Sequence, residues 1–219
     1  MRPQKTLTRW GKLGTIFSAR SEKDLHALIA CLCVLFEDLR IEINGISESD
    51  LGRLDECGKN GRKFYFQRRS IATLHEFGEV LRDLENLPSF APVKAHFSPM
   101  ALRHWVRAID CFQKYDRYVA RLRNNVGGHF RRQAGIFAIE NFWPDVTGKL
   151  ELVHYGDGGG AKLFFATGIA TTATLRQVSG ATSAAKARKL VRHSVVAYRH
   201  AVWAVNCIVN DYLWDRFGQ

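Results

Sequence analysis

The chain has 219 residues, of which 32 are Lys or Arg and 21 are Asp or Glu, so its formal net charge is +11 near neutral pH. Hydrophobic residues make up 46% and charged residues 24%, which is the balance of a globular domain and excludes a disordered chain or a small disulfide-dependent scaffold. The positive charge favours polyanionic partners, nucleic acid first and anionic lipid second, with a solvated basic surface as the simpler interpretation.

Cysteine usage and the absence of long apolar runs indicate a protein of a reducing compartment. The cysteines are five in number and form no Cys-x-x-Cys pair, which is typical of buried free thiols rather than of disulfides or a zinc site. The first 20 residues lack the apolar core of a signal peptide, and the longest apolar run, 27–36, is half the length that a bilayer needs. We therefore expect a cytoplasmic protein without a membrane partner.

Helical periodicity dominates the first two thirds of the chain and returns at its end. The pattern predicts a basic arm over 1–19, then a helix from the N-cap Ser21 to Asn44-Gly45 and a loop over 45–62. A second helix is predicted over about 63–86, and a third from Ser98-Pro99 into the segment at Arg123. A short helix follows that ends at 141–144, and the last and longest helix is predicted over about 183–217. Expected to face inward from the helix that starts at Pro99 are Leu102, Trp105, Val106, Ile109, Phe112, Val119 and Leu122.

One segment differs from the helical pattern. The apolar stretches 150–155 and 162–166 flank glycine-rich residues 156–160, which predicts a β-hairpin within an insertion at about 149–170. Residues 168–182, rich in Thr and Ala, are compatible with a further strand or a loop. The expected fold is mainly α: a single domain over 20–219, built as a helical bundle with a hairpin inserted before the last helix.

The segment from Arg123 to His129 (Arg-Asn-Asn-Val-Gly-Gly-His) is the main candidate for chemistry. An Arg separated from a following His by four to six residues also occurs before His26, His75 and His193, so the spacing alone carries little information. Three features distinguish the segment at Arg123: a polar Asn124 follows the Arg, two glycines leave room for a ligand backbone, and two helices meet there.

Arg-Asn-x-x-x-x-His at the junction of two bundle helices resembles the signature of the HEPN superfamily, and the resemblance covers about residues 63–142. It implies a metal-independent endoribonuclease of two protomers that share one cleft, with no cofactor and no metal. Arg123 would then stabilise charge on the scissile phosphate, His129 would act as general acid or base while the ribose 2′-OH attacks, and Asn124 would maintain the cleft geometry. Other family members are inactive helical dimers, or partners of nucleotidyltransferases, and a toxin or defence role would imply a neutralising partner.

Basic side chains around this segment are candidates for an RNA track. They are Arg117, Arg121, Arg131 and Arg132 near the motif, and Arg188 and Arg192 on the last helix.

Structural interpretations of the same residues remain open. Arg123 and Asn124 are also suited to capping a helix end, His129 to starting the next helix, and the basic residues to a solvated face. If these structural roles apply, the chain is a non-catalytic module for protein assembly or RNA binding. A DNA-binding role would need a helix-turn-helix, which the pattern does not indicate.

Overall fold

The computed structural model describes residues 8–10, 12–17, 22–47, 56–126, 132–142, 150–155 and 158–217, and this part of the chain is mainly helical, as predicted. The helices are α1 (Leu13–Ile16), α2 (Lys23–Ser47), α3 (Glu56–Asn86), α4 (Phe90–Ala95), α5 (Pro99–Val126), α6 (Arg132–Glu140), α7 (Phe164–Leu175), α8 (Ser183–Ile208) and α9 (Trp214–Arg216); the strands are β1 (Leu150–Tyr155) and β2 (Gly158–Leu163). A π-helical stretch, Val209–Leu213, joins α8 to α9.

The four long helices enclose one hydrophobic core. Helix α3 packs against α2 on one side and α5 on another, and α5 in turn packs against α8. The side chains at the centre are fully or almost fully buried: Leu25, Ile29, Leu32, Ile71, Leu74, Phe77, Leu81, Trp105, Phe112, Leu190, Ala197 and Ala201. Because burying one large apolar side chain contributes about 1.5–3 kcal/mol, these contacts stabilise the helices far more than helix propensity does.

The starts of α5 and α8 follow local sequence signals. The Ser98 hydroxyl accepts a hydrogen bond from the amide of Ala101 at 3.2 Å, and Pro99 occupies the first helical position. The Thr182 hydroxyl accepts from the amide of Ala185 at 3.1 Å. Both side chains satisfy an amide that has no carbonyl partner within the helix, so both predicted start points are confirmed.

Helices α2 and α3 extend further toward each other along the chain than the pattern predicts. Helix α2 continues past Gly45 to Ser47, because Gly45 marks a close approach rather than an end: a Cβ there would lie 2.6 Å from the Phe66 ring. Helix α3 starts at Glu56, inside the predicted loop. Extending a formed helix adds one hydrogen bond per residue, which offsets the cost of about 1 kcal/mol for each glycine within the added helical turns.

Two predicted core positions of α5 are wrong. Leu102 is 40% exposed and Val106 is 58% exposed, whereas Trp105, Ala108 and Phe112 are buried. The apolar face of α5 is wider than the surface that α3 and α8 cover, so residues at its margin face solvent. Cys31 of α2 is exposed as well, although the sequence predicts buried thiols.

Strands β1 and β2 pair antiparallel, with Leu150 opposite Leu163 and Tyr155 opposite Gly158. The next element differs from the prediction, since Phe164 begins helix α7 instead of prolonging a strand, and α7 rather than the last helix follows the hairpin region. Threonine favours strands by propensity, but Thr174 is buried and its hydroxyl donates to the carbonyl of Ala170 at 2.8 Å within the helix.

Part of the predicted basic arm packs on the end of the chain. Ile16 of α1 is only 4% exposed, and the Arg9 guanidinium lies 4.4 Å from the centre of the Trp214 ring and donates to the Trp214 carbonyl at 2.6 Å. These contacts tie the start of the chain to α9. Within the described ranges, no helix combines the length and apolarity needed to cross a bilayer.

Candidate functional site

The Arg123 segment lies where α5 ends and α6 begins. Arg123 and Asn124 occupy the last turn of α5, which ends at Val126, and α6 starts at Arg132. His129 and Arg131 lie outside the described residues. The predicted helix junction is therefore present, and Arg123 is placed at a helix C-terminus, where unpaired carbonyls favour a cation.

Helices α5 and α8 run antiparallel, which determines what lies near this junction. The Cys207 thiol donates to the Ala101 carbonyl at 3.3 Å, and the rings of His104 and Trp203 are 4.6 Å apart. The start of α5 thus meets the end of α8. Moving along α5 from His104 to Arg123 corresponds to moving back along α8 from Trp203 to about its first turn, so the start of α8 lies at the same end of the bundle as Arg123.

The start of α8 carries a concentrated positive charge. Arg188 and Arg192 are exposed and, with Lys189 and His193, line a surface groove of about 560 Å³. Burial, followed by the nearby charges of Lys189 and Arg192, lowers the pKa of His193. The imidazole is therefore neutral at pH 7, and the positive potential of the groove comes from Arg and Lys side chains, which suit phosphate.

Arg188 and Arg192 extend into a row of basic residues along α8. Arg199 lies two turns beyond Arg192 on the same helix face, and Arg107 of α5, which packs against α8, is near enough for its charge and that of Arg199 to act together on His200. We call these four exposed arginines the basic band: Arg107, Arg188, Arg192 and Arg199. The band leads from the Trp203 end of the bundle toward the junction that contains Arg123.

The predicted RNA-track residues are thus only partly brought together. Arg188 and Arg192 belong to the basic band, and Arg132 is exposed at the start of α6. Arg117 is exposed on α5, where its Nε donates to the Gln113 carbonyl at 3.4 Å. Arg121 is placed in α5 by its backbone, and Arg131 is outside the described part of the chain.

Two other histidines with an upstream Arg have partners inside the bundle. His75 of α3 is 5% exposed; its Nδ1 pairs with Asp116 of α5 and its Nε2 lies 3.4 Å from Glu79. His26 of α2 is 3% exposed and its Nε2 lies 2.9 Å from the hydroxyl of Tyr212. The contacts to Asp116 and Tyr212 join helices, so each of these two histidines has a structural role.

Glu42 is a buried carboxyl group between α2 and α3. It is 6% exposed, accepts a hydrogen bond from the Thr73 hydroxyl at 3.0 Å, and lies 3.6 Å from the Arg69 guanidinium. Burial raises the pKa of Glu42 to about 7, and the nearby Asp38 and Glu76 carboxylates act in the same direction, while Thr73 and Arg69 oppose them. The neutral acid is therefore the form that the fold prefers.

This preference predicts a loss of stability toward alkaline pH. Since the pKa of Glu42 is higher in the folded chain than in the unfolded one, its contribution is complete below about pH 4.5 and is lost as pH rises through about 7. Glu42→Gln should remove up to about 3 kcal/mol of this pH dependence in urea unfolding, measured from pH 5 to 8.5. Glu140→Gln, at an exposed position, is the matched control; parallel pH profiles for Glu42→Gln and the wild-type chain would contradict the assignment.

The sequence pattern missed a cluster of aromatic and basic side chains at the other end of α5. Arg199, His200 and Trp203 are neighbours on α8, and His104 of α5 joins them only because α5 and α8 are antiparallel. Among the described residues, no group of three or more His, Cys, Asp or Glu is arranged to hold a metal ion.

Comparison with known proteins finds no match to this chain among protein families, curated proteins or solved structures. The class that the described residues define is a mainly helical bundle with a basic band.

Proposed function

We propose that this chain is a HEPN-type RNA-binding protein that cleaves RNA without a metal ion at the junction of α5 and α6. The observation that carries the proposal is the basic band, which ends at the same end of the bundle as Arg123. A strand of RNA bound along the band by its phosphates would be directed to the segment that contains Arg123 and His129.

The proposed reaction is attack by the ribose 2′-OH on the adjacent phosphate. His129 accepts the proton of the 2′-OH or donates one to the leaving 5′ oxygen, while Arg123 stabilises the charge that develops on the phosphate oxygens. Asn124 orients these groups. The P–O bond to the 5′ oxygen breaks, which leaves a 2′,3′-cyclic phosphate and a 5′-hydroxyl.

The proposal includes a homodimer, because the family resemblance implies that two Arg123–His129 segments share one cleft. Light scattering at assay concentration should give twice the mass of the 24.9 kDa chain. A monomer that still cleaves RNA would remove the shared cleft from the proposal. The family resemblance also implies a further partner, either a neutralising antitoxin or a nucleotidyltransferase.

The direct test is an assay of the purified chain on end-labelled RNA in the presence of EDTA. The expected products carry a 2′,3′-cyclic phosphate, which acid or a phosphodiesterase opens to a monophosphate. A DNA strand of the same sequence should remain intact, since it has no 2′-OH. Intact RNA after prolonged incubation, or cleavage products with other ends, would overturn the proposal.

A second candidate function is RNA binding without cleavage, and the exposure of the basic band favours it independently of His129. Because each phosphate contact to a single strand releases about 0.7 counterion, removing two contacts should lower the slope of log K against log salt by about 1.4. We expect this change for Arg188→Ala/Arg192→Ala in fluorescence anisotropy with labelled RNA at 50–300 mM salt.

The matched control for the salt series is Lys23→Ala/Lys63→Ala, which removes the same charge from exposed positions of α2 and α3. Its slope should equal that of the wild-type chain. Equal slopes for both double variants would show that charge in general, rather than the basic band, binds RNA.

A further inference from the structure

A second candidate site lies between the start of α5 and the end of α8, around Trp203. His104 lies against the Trp203 ring at 4.6 Å, His200 meets the ring edge-on at 4.8 Å, and the Arg199 guanidinium lies 5.1 Å from the ring centre. These three neighbours hold the indole in one position while leaving it only partly buried. The indole is thus a fixed, accessible apolar wall.

A groove of about 240 Å³ opens beside this wall. It is lined by Met100, Ala101 and Trp203 on its apolar side, and by Asn206, Asn210 and Asp211 on its polar side. Asn210 and Asp211 belong to the π-helical stretch Val209–Leu213, in which both residues reach the groove while Leu213 stays buried. Such stretches are rare and are frequent at functional sites.

The groove has an uncharged thiol at its floor, the Asp211 carboxylate on its polar side and arginines near its rim. Burial raises the pKa of the Cys207 thiol to about 11, so the thiol is protonated and donates to the Ala101 carbonyl. Burial, followed by the charges of Arg199 and Arg107, lowers the pKa of His200. Formal positive charge near Trp203 therefore comes from Arg199, whose guanidinium lies against the ring, and from Arg107, whose charge also acts on His200; both belong to the basic band.

We propose that this groove binds an unpaired adenine base of an RNA strand. An Asn amide forms a paired contact with adenine N6 and N7, and the groove offers two such amides at Asn206 and Asn210. The Asp211 carboxylate accepts from the exocyclic amine of adenine and faces unfavourably the carbonyl oxygens of uracil and guanine. Trp203 and Met100 contact the base, and Arg107 and Arg199 bind the flanking phosphates.

The groove and the Arg123 junction are far enough apart to act on different nucleotides. Arg123 lies nineteen positions after His104 in α5, which at about 1.5 Å per residue is roughly 28 Å, a distance that spans several nucleotides of a bound strand. The basic band joins the two places. The inference rests on the proposed function only in taking RNA as the ligand, and it does not require cleavage.

The test measures binding to a labelled ten-nucleotide oligoadenylate whose 2′-O-methyl groups prevent cleavage by 2′-OH attack. Fluorescence anisotropy should show at least tenfold weaker binding for Asn206→Ala/Asn210→Ala than for the wild-type chain. Both positions are exposed, so the fold should be retained, and Asn86→Ala, an exposed amide at the end of α3, should bind as the wild-type chain does. Equal affinity of the double variant and the wild-type chain would overturn the proposal.

Two further measurements define the ligand. Asp211→Asn should reduce the preference for oligoadenylate over oligouridylate, and a wild-type chain that binds both equally would contradict an adenine site. AMP should bind at least tenfold more weakly than the oligonucleotide; equal affinities would overturn the assignment to an RNA strand and leave a free nucleotide as the ligand. A chain that binds oligoadenylate in this way but cuts no RNA would support the groove and contradict the nuclease proposal.

Discussion

RNA cleavage is expected to fall by about 10²–10⁴-fold when His129 is replaced by alanine, which is the usual contribution of a general acid or base. Arg123→Ala should lower the rate by about 10²–10³-fold, because a donor to the developing phosphate charge is lost. Initial rates on end-labelled RNA in EDTA measure both effects, and anisotropy with uncleavable RNA should change little for His129→Ala.

The matched control is His96→Ala, since His96 is an exposed histidine at the end of α4, outside the basic band. Its cleavage rate should equal that of the wild-type chain. Unchanged cleavage by His129→Ala would remove this residue from the chemistry and leave RNA binding along the basic band as the function.

Trp105→Ala is expected to destabilise the fold by about 3–5 kcal/mol, the range for removing a fully buried tryptophan. The indole is 0% exposed, packs on Phe90 and Phe97 at ring distances of 4.9 and 5.7 Å, and donates from Nε1 to Glu85 at 2.6 Å. The substitution leaves both a cavity and a carboxylate without its indole donor. Since Glu85 also pairs with Lys94, the contact between α3 and α4 should loosen too.

Urea unfolding followed by circular dichroism measures this loss. Val106→Ala, at the neighbouring position of α5, is the control because its side chain is 58% exposed and should change stability by less than about 0.5 kcal/mol. Trp105→Phe keeps most of the volume and isolates the loss of the hydrogen bond to Glu85. Similar stability of Trp105→Ala and Val106→Ala would contradict the placement of the core.

Helix identity could be predicted where one face is strongly apolar and a start signal is clear. Ser98-Pro99 and Thr182-Ser183 begin helices as local rules require, since the hydroxyl that caps a free amide is adjacent to it in sequence. The buried stripe of α3, including Ile71, Leu74 and Phe77, follows from its spacing alone.

The sequence did not predict the secondary structure correctly where a contact with a residue distant in the chain determines it. Glycine is common at helix ends, but Gly45 lies within α2 because it leaves room for the Phe66 ring of α3. Threonine favours strands, but Thr174 is buried within helix α7. Helix α4 and the margins of the α5 stripe were missed because they depend on which neighbours cover them.

The sequence by itself determined the net positive charge, the mainly helical fold and the position of Arg123 shortly before a helix end, because charge, periodicity and glycine placement act over a few neighbouring residues. Only the tertiary structure decided which of these residues meet. The antiparallel packing of α5 on α8 brings Arg188 and Arg192 to the end of the bundle where Arg123 lies, and places His104 beside Trp203, 99 positions later in the chain. Burial of both helices against one core holds them in that register, and no local pattern encodes it.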